Sequence, residues 1–182
     1  MKKYLLIFFF IFICNEGSAQ IKKNIIQNLL KTNNISFNFE QNINGKIENG
    51  NCVIQYPKKI YCQYNLNNKK ILVSNGRSLV IKTQTSYYLY PLEKTPLDLI
   101  LDKNYLINKI TSLKERIIES KFINYTFVEN DNEINIFFNK INYNLIGWQT
   151  LDIYQNLSIT FLSSITKNKN LDEDLFILPK QN

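Results

Sequence analysis

The chain has 182 residues, with 22 Lys and Arg against 15 Asp and Glu, and it contains no His. The absence of His excludes His-containing catalytic triads and most zinc sites. The net charge of +7 comes mainly from lysines scattered along the chain, which is typical of a solvated surface rather than of a nucleic-acid-binding stripe. No phosphate-binding glycine motif is present, so nothing indicates a nucleotide site. We expect no cofactor, no metal and no nucleic-acid partner.

Residues 1–19 have the pattern of a cleaved signal peptide. Lys2 and Lys3 precede an apolar run over residues 4–14, and small residues at 17–19 suit cleavage before Gln20. The apolar run is too short for a membrane-spanning helix. The sequence therefore predicts export to the periplasm and one mature domain over residues 20–182.

Cys14 offers an alternative, in which this residue is acylated and anchors the protein to a membrane. The bulky Phe12 and Ile13 stand where a lipoprotein signal requires small residues, so we favour the soluble form. Cys52 and Cys62 then remain in an oxidising compartment. They flank a turn at Pro57 and would face each other across a hairpin. This arrangement is compatible with a structural disulfide between them but does not require one.

The first mature segment is an amphipathic helix, with apolar residues at i, i+4 spacing over residues 21–30. Alternating strands follow over residues 35–43, around Pro57, on both sides of Asn75-Gly76, and over residues 86–92. Thr95 is a candidate helix cap, and Pro96 suits the first helical position. A short apolar helix over residues 96–101 and another over 104–110 are predicted there.

Strands resume after these helices. They are predicted over residues 114–119, 122–129, 133–138, 144–154 and 157–165, followed by an extended tail held by Leu175 and Phe176. About eleven antiparallel strands exceed one flat sheet and should curl into an open, incomplete antiparallel β-barrel. The fold class is mainly β with helices, and the helices are expected to cover the concave face as a lid.

The inward strand positions are mostly apolar and often aromatic. This pattern suits either a filled core or an open cavity, and interiors are usually filled. An exported hydrolase with paired carboxylates would need a polar concave face instead. The acidic run 172–174 is typical of solvated surface.

The order of motifs resembles the LolA family of periplasmic lipoprotein carriers. The resemblance rests on Phe39-Glu40-Gln41, a glycine-led strand into Pro57, an aromatic at Tyr64, and "ILVSNGRSLVI" at residues 71–81. Two further motifs complete the resemblance. They are Thr95-Pro96 with its aliphatic helix, and "NLDEDLF" followed by Pro179.

The resemblance implies an open barrel with a helical lid over an apolar cavity, and a binding function rather than an enzyme. It implies a monomeric carrier that receives acylated lipoproteins from an inner-membrane ABC-type release complex and passes them to an outer-membrane receptor. An outer-membrane receptor of the same fold and a non-catalytic periplasmic lipid-binding β-domain remain alternatives.

The resemblance also implies which side chains meet the acyl chains. These candidate cavity and lid residues are Leu29, Phe39, Tyr56, Ile60, Tyr64, Leu97 and Ile100. We expect Ile60→Glu to cripple lipid uptake and to leave the fold intact.

Tyr56 departs from the family pattern, because the family has an Arg before the hairpin proline that latches the lid. A phenol lacks the forked, charged donors of Arg. The latch is therefore expected to be weaker or to come from Lys58 or Lys59.

Overall fold

The computed structural model describes residues 16–129, 131–152 and 154–181. One antiparallel sheet contains all eleven strands of these residues, in the order β6-β5-β4-β3-β2-β1-β11-β10-β9-β8-β7. The strands are β1 Asn34–Ile43, β2 Lys46–Gln55, β3 Lys59–Tyr64, β4 Ile71–Asn75, β5 Ser78–Lys82, β6 Tyr87–Pro91, β7 Arg116–Ile118, β8 Phe122–Glu129, β9 Asn132–Asn139, β10 Leu145–Leu151 and β11 Leu157–Lys167. Because β6 and β7 do not pair with each other, the barrel is open, and the predicted fold class is confirmed.

Three α-helices accompany the sheet, namely α1 Glu16–Leu30, α2 Leu97–Ile100 and α3 Lys103–Ser112. Two 3₁₀ turns lie at Leu92–Lys94 and Glu173–Phe176. No helix in the described part of the chain is both long and apolar enough to cross a membrane. Residues 1–15, which hold most of the predicted signal peptide and Cys14, lie outside the described residues, whereas 16–19 form the first turn of α1.

Two helices bury apolar side chains in the core beside β8. Helix α1 packs against α3, and both bury apolar side chains in the main hydrophobic cluster. Ile25 of α1, Leu106 and Ile110 of α3, and Tyr125 of β8 are at most 2% exposed. These buried side chains form a core between the two helices and the half of the sheet that contains β8.

Gly50 lets two aromatic rings meet on the concave side of the other half. It lies opposite Phe39 on β1 and Tyr64 on β3. The rings of Phe39 and Tyr64 pack edge to face with centroids 4.9 Å apart. A Cβ at Gly50 would lie 2.1 Å from the Gln63 carbonyl oxygen, so this close approach requires glycine.

Several predicted boundaries shift for local reasons. The strand predicted over 144–154 ends at Leu151, because the Asp152 carboxylate accepts hydrogen bonds from the Tyr154 and Asn156 backbone amides in a turn. The strand predicted over 114–119 shortens to Arg116–Ile118. Thr95 does not cap α2 with its side chain, since its hydroxyl donates to the Leu92 carbonyl at 2.8 Å.

The C-terminal tail packs against the sheet beside β3 and β4. Phe176, in the second 3₁₀ turn, is 4% exposed, and the Lys59 ammonium lies 5.8 Å from its ring centroid. The predicted anchoring of the tail by Phe176 agrees with this placement, whereas Leu175 is half-buried.

Candidate functional site: an apolar cavity beside the lid

A cavity of about 220 Å³ lies on the concave face of the barrel, between the β1–β6 half and the adjoining ends of β10 and β11. Its wall is mostly apolar: Ile43, Tyr64, Leu72, Leu79, Ile81, Tyr88, Pro96, Leu97, Trp148 and Leu151 line it. A smaller chamber of about 50 Å³ adjoins it, since the two share Gln41, Tyr64, Leu72, Leu97 and Trp148. This half of the molecule is therefore not completely filled.

Residues 95–102, which we call the lid, close one side of the cavity. Leu97 lines both chambers, and Thr95 and Pro96 line the larger one. Ile100 and Leu101 are fully buried in the hydrophobic cluster. The lid thus has a cavity-facing start and a buried end that anchors it.

Lys58 connects the β2–β3 turn to the lid. Its backbone N–H donates to the Leu101 carbonyl at 2.9 Å, and its ammonium donates to both Asp98 carboxylate oxygens at 2.8 and 3.0 Å. Asp102 adds a second carboxylate 3.7 Å from the ammonium. The hydrogen bond to Asp98 raises the pKa of Lys58 above its usual value, although partial burial opposes the shift.

Tyr56 precedes Pro57, and the peptide bond between them is cis. Its ring packs against the hydrophobic cluster, and the Lys103 ammonium lies 5.8 Å from the ring centroid. Burial raises the pKa of the Tyr56 phenol well above its usual range. The hydrogen-bonded connection to the lid comes from Lys58, one of the two lysines expected to supply it.

A disulfide joins Cys52 and Cys62, which are paired directly across β2 and β3. Both residues line the smaller chamber. The bond therefore fixes two strands of the cavity wall to each other.

Four of the seven predicted site residues meet at the two chambers. Phe39 and Ile60 line the smaller one, and Tyr64 and Leu97 line both. Ile60 is 2% exposed and belongs to the main cluster. A Glu at this position would be buried, so we now expect Ile60→Glu to destabilise the fold as well.

The other three lie elsewhere. Leu29 and Tyr56 flank a separate space of about 10 Å³, too small for a lipid chain, between α1 and the sheet. Ile100 is fully buried at the anchored end of the lid. Helical spacing placed Leu29 and Ile100 on inward faces correctly but does not distinguish a core contact from a cavity wall.

Sequence reasoning missed several wall residues. Trp148 lines both chambers, and its ring packs edge to face on Phe37 with centroids 6.4 Å apart. Leu79 and Ile81 lie two residues apart on β5 and both line the larger chamber. The two-residue period of the strand after Asn75-Gly76 could have identified Leu79 and Ile81. Trp148 could not be identified in this way, because its position at the cavity depends on the pairing of β1 with β11, which no local pattern specifies.

A buried ion pair lies at the edge of the larger chamber. The side chain of Glu48 is 4% exposed and pairs with Lys46 at 2.7 Å and with Lys70 at 2.5 Å. Burial opposes ionisation of Glu48, but the hydrogen bonds from the two lysines outweigh it and hold the pKa below its usual range. The Lys70 ammonium also lies 4.0 Å from the Tyr64 ring centroid.

The described residues of the cavity wall do not include the pair of carboxylates that the alternative function, an exported hydrolase, would need. Among its described lining residues Asp152 has the sole carboxylate, and that group accepts the hydrogen bonds of its own turn. Over residues 16–129, 131–152 and 154–181, no group of three or more His, Cys, Asp or Glu is arranged to hold a metal ion.

Structural comparisons find similar folds at low sequence identity. A structure of MucB matches with a TM-score of 0.51 and 8% identity, over 90% of this chain and 63% of that chain. A LolA superfamily protein from Nitrosomonas europaea matches with a TM-score of 0.44 and 9% identity, over 88% and 97% of the two chains. The Mycobacterium tuberculosis lipoprotein LppX matches with a TM-score of 0.46 and 10% identity, over 87% and 100%.

The comparison with curated proteins finds no match to this sequence. The family model described as "Outer membrane lipoprotein carrier protein LolA" matches residues 30–178, which include every strand of the sheet and the lid. The chain therefore belongs to the LolA family of outer-membrane lipoprotein carrier proteins.

Proposed function

We propose that this protein is a periplasmic carrier that shields the acyl chains of lipoproteins and transfers them toward the outer membrane. The observation that carries the proposal is the apolar cavity of about 220 Å³ between the concave sheet and the lid. Membership of the LolA family supports it. The partners would be acylated lipoproteins, an inner-membrane ABC-type release complex and, at the end of the path, an outer-membrane receptor.

The physics of the cargo suits such a wall. Each CH₂ group exposed to water costs ~0.8 kcal/mol, so one long acyl chain needs on the order of 10 kcal/mol of shielding. Aliphatic and aromatic side chains supply this shielding without depending on the protein part of the cargo. One carrier could therefore serve lipoproteins with unrelated sequences.

Loading would require the lid to move. The cavity is smaller than the ~300–1,000 Å³ usual for ligand sites, so in this form it has room for only part of an acyl group. Displacement of Pro96 and Leu97 would open the larger chamber. Release without local ATP then requires a receptor that binds the chains more tightly than this cavity does.

Native mass spectrometry tests the proposal. The protein lacking residues 1–19 is incubated with ATP and with vesicles that carry the inner-membrane release complex and a triacylated lipoprotein, and the supernatant is analysed. We expect a one-to-one complex with the acylated lipoprotein and none with the same protein stripped of its acyl chains. No complex with either form, or equal binding of both, would overturn the proposal.

A further inference from the structure

One buried hydroxyl group on the cavity wall lacks a hydrogen-bond partner. Thr160 is 3% exposed and lines the smaller chamber, and its Oγ1 makes no hydrogen bond within the described residues. Two other buried polar atoms, on Glu115 and Tyr125, share this property, but neither residue lines the two chambers. Unpaired buried polar groups are rare in folded proteins, and a ligand is one reason to keep such a group.

Two further polar side chains lie next to Thr160 in the sheet, Gln41, which lines both chambers, and Ser158, which lines the larger one. Gln41 on β1 pairs directly with Thr160 on β11, and Ser158 lies two residues before Thr160 on the same face of the strand. Gln41 Nε2 donates to Ser158 Oγ at 2.9 Å. Since a hydroxyl both donates and accepts, Ser158 keeps its own hydrogen for another partner, and so does Thr160.

Tyr64 fixes the orientation of the Gln41 side-chain amide. Its hydroxyl donates to Gln41 Oε1 at 3.3 Å, which leaves Gln41 Nε2 directed at Ser158. The wall thus presents two hydroxyl donors, one to each chamber, in a mostly apolar cavity. Such a pair fits a ligand group that accepts hydrogen bonds and donates none.

The charge balance favours a neutral acceptor. Among the described residues that line the two chambers, Lys70 is the one cation, and it is engaged by Glu48 at 2.5 Å and by the Tyr64 ring. A carboxylate or phosphate would enter the cavity without an uncommitted positive charge, which is unfavourable away from water. An ester carbonyl carries no net charge and is attached directly to a hydrocarbon chain.

We propose that Ser158 and Thr160, positioned by Gln41, form a polar subsite that receives the ester carbonyl groups of a diacylglyceryl cargo. The inference rests on the proposed carrier function and adds a recognition element to it. The hydrocarbon occupies the apolar chambers, while the carbonyls accept the two hydroxyl hydrogens. The subsite sets how deeply the chains enter.

Two matched ligands test the subsite. One is a diacylglyceryl-cysteine peptide with two palmitoyl esters, and the other carries hexadecyl chains of the same length through ether bonds, which accept hydrogen bonds more weakly. We expect the wild-type protein to bind the ester form about threefold to tenfold more tightly in a calorimetric titration. Thr160→Val should remove this preference, leave the affinity for the ether form unchanged and raise the melting temperature, because an unpaired buried hydroxyl is lost.

Two further variants show whether a change in ligand preference comes from the subsite. Thr166→Val changes an exposed threonine of the same strand and should keep the ester preference. Ser158→Ala gives an independent test of the subsite, with the same expected loss of preference. Equal wild-type affinity for both ligands, or an intact preference in both subsite variants, would overturn the subsite and leave the carrier function standing. Failure of the wild-type protein to bind either ligand would overturn both proposals.

Discussion

The Lys58 ammonium lies 2.8 Å from a carboxylate oxygen of Asp98 and thereby joins the β2–β3 turn to the lid. The family pattern places an Arg two residues earlier, at the position of Tyr56. Here the charged group follows the proline instead of preceding it, and it binds a side chain of the lid. The side-chain part of the latch is therefore an ion pair, and its strength depends on salt and pH.

Lys58→Met should loosen the lid and leave the barrel folded. We expect a coupling energy of about 0.5–1 kcal/mol between Lys58→Met and Asp98→Asn in a double-mutant cycle of unfolding, because the pair is partly exposed. Amide hydrogen exchange in residues 97–101 should become faster. Lys59→Met is the control, since Lys59 lies over the Phe176 ring. Additive effects of the two changes, with unaltered exchange, would show that the pair does not hold the lid.

The pH dependence of the latch has a defined sign. The pKa of Lys58 is raised in the folded protein, so the contribution of the pair is complete below the unfolded lysine value of ~10.4. It is lost as the pH rises through the folded pKa. Lid opening should therefore be constant between pH 6 and 9 and increase only in strongly alkaline solution, while added salt weakens the latch at neutral pH.

Some elements of this architecture can be predicted from the sequence, and others cannot. Asn75-Gly76 and the alternation of residues 35–43 are local signals, and the corresponding strands form as predicted. The contact of β1 with β11 joins residues more than a hundred positions apart, and no local pattern specifies it. The cavity depends on that contact, because it brings Thr160 and Trp148 beside Gln41. Inward-facing residues could be predicted, but whether they would face empty space could not.

Leu97 and Leu99 provide a matched pair for testing the cavity. Both are half-buried on α2, but Leu97 lines both chambers whereas Leu99 lines neither. We expect Leu97→Ser and Leu99→Ser to lower the free energy of unfolding similarly, by about 1–2 kcal/mol. Only Leu97→Ser should weaken binding of a diacylated peptide, by about tenfold, since a buried Leu contributes about 1.5–3 kcal/mol to an apolar contact. Equal losses of affinity would place the acyl chains elsewhere.

The Cys52–Cys62 disulfide should stabilise the folded protein. The bond closes a loop of sequence separation 10, for which the loss of unfolded-state entropy predicts a stabilisation of about 2–3 kcal/mol. Denaturant unfolding with and without reductant measures this difference directly. The double variant Cys52→Ala and Cys62→Ala should be as unstable as the reduced wild-type protein and insensitive to reductant. A reductant effect that persists in the double variant would exclude the disulfide as its cause.

Glu48 should control the acid stability of the cavity edge. Its pKa lies below the usual range in the folded protein, so its contribution is present above the unfolded value of ~4.3 and is lost as the pH falls through the folded pKa. Glu48→Gln should lower the free energy of unfolding at pH 7 by about 1–3 kcal/mol, because Lys70 loses a buried partner.

The same reasoning predicts that the difference between wild type and Glu48→Gln disappears in acid. Once the pH has fallen below the folded pKa of Glu48, the protonated wild-type carboxyl resembles the amide, so the two free energies of unfolding should converge. Glu40→Gln, an exposed change on β1, should have little effect at neutral or acid pH. A difference that does not shrink as the pH is lowered through the acid range would show that Glu48 acts through packing, because only the ionised carboxylate can pair with Lys46 and Lys70.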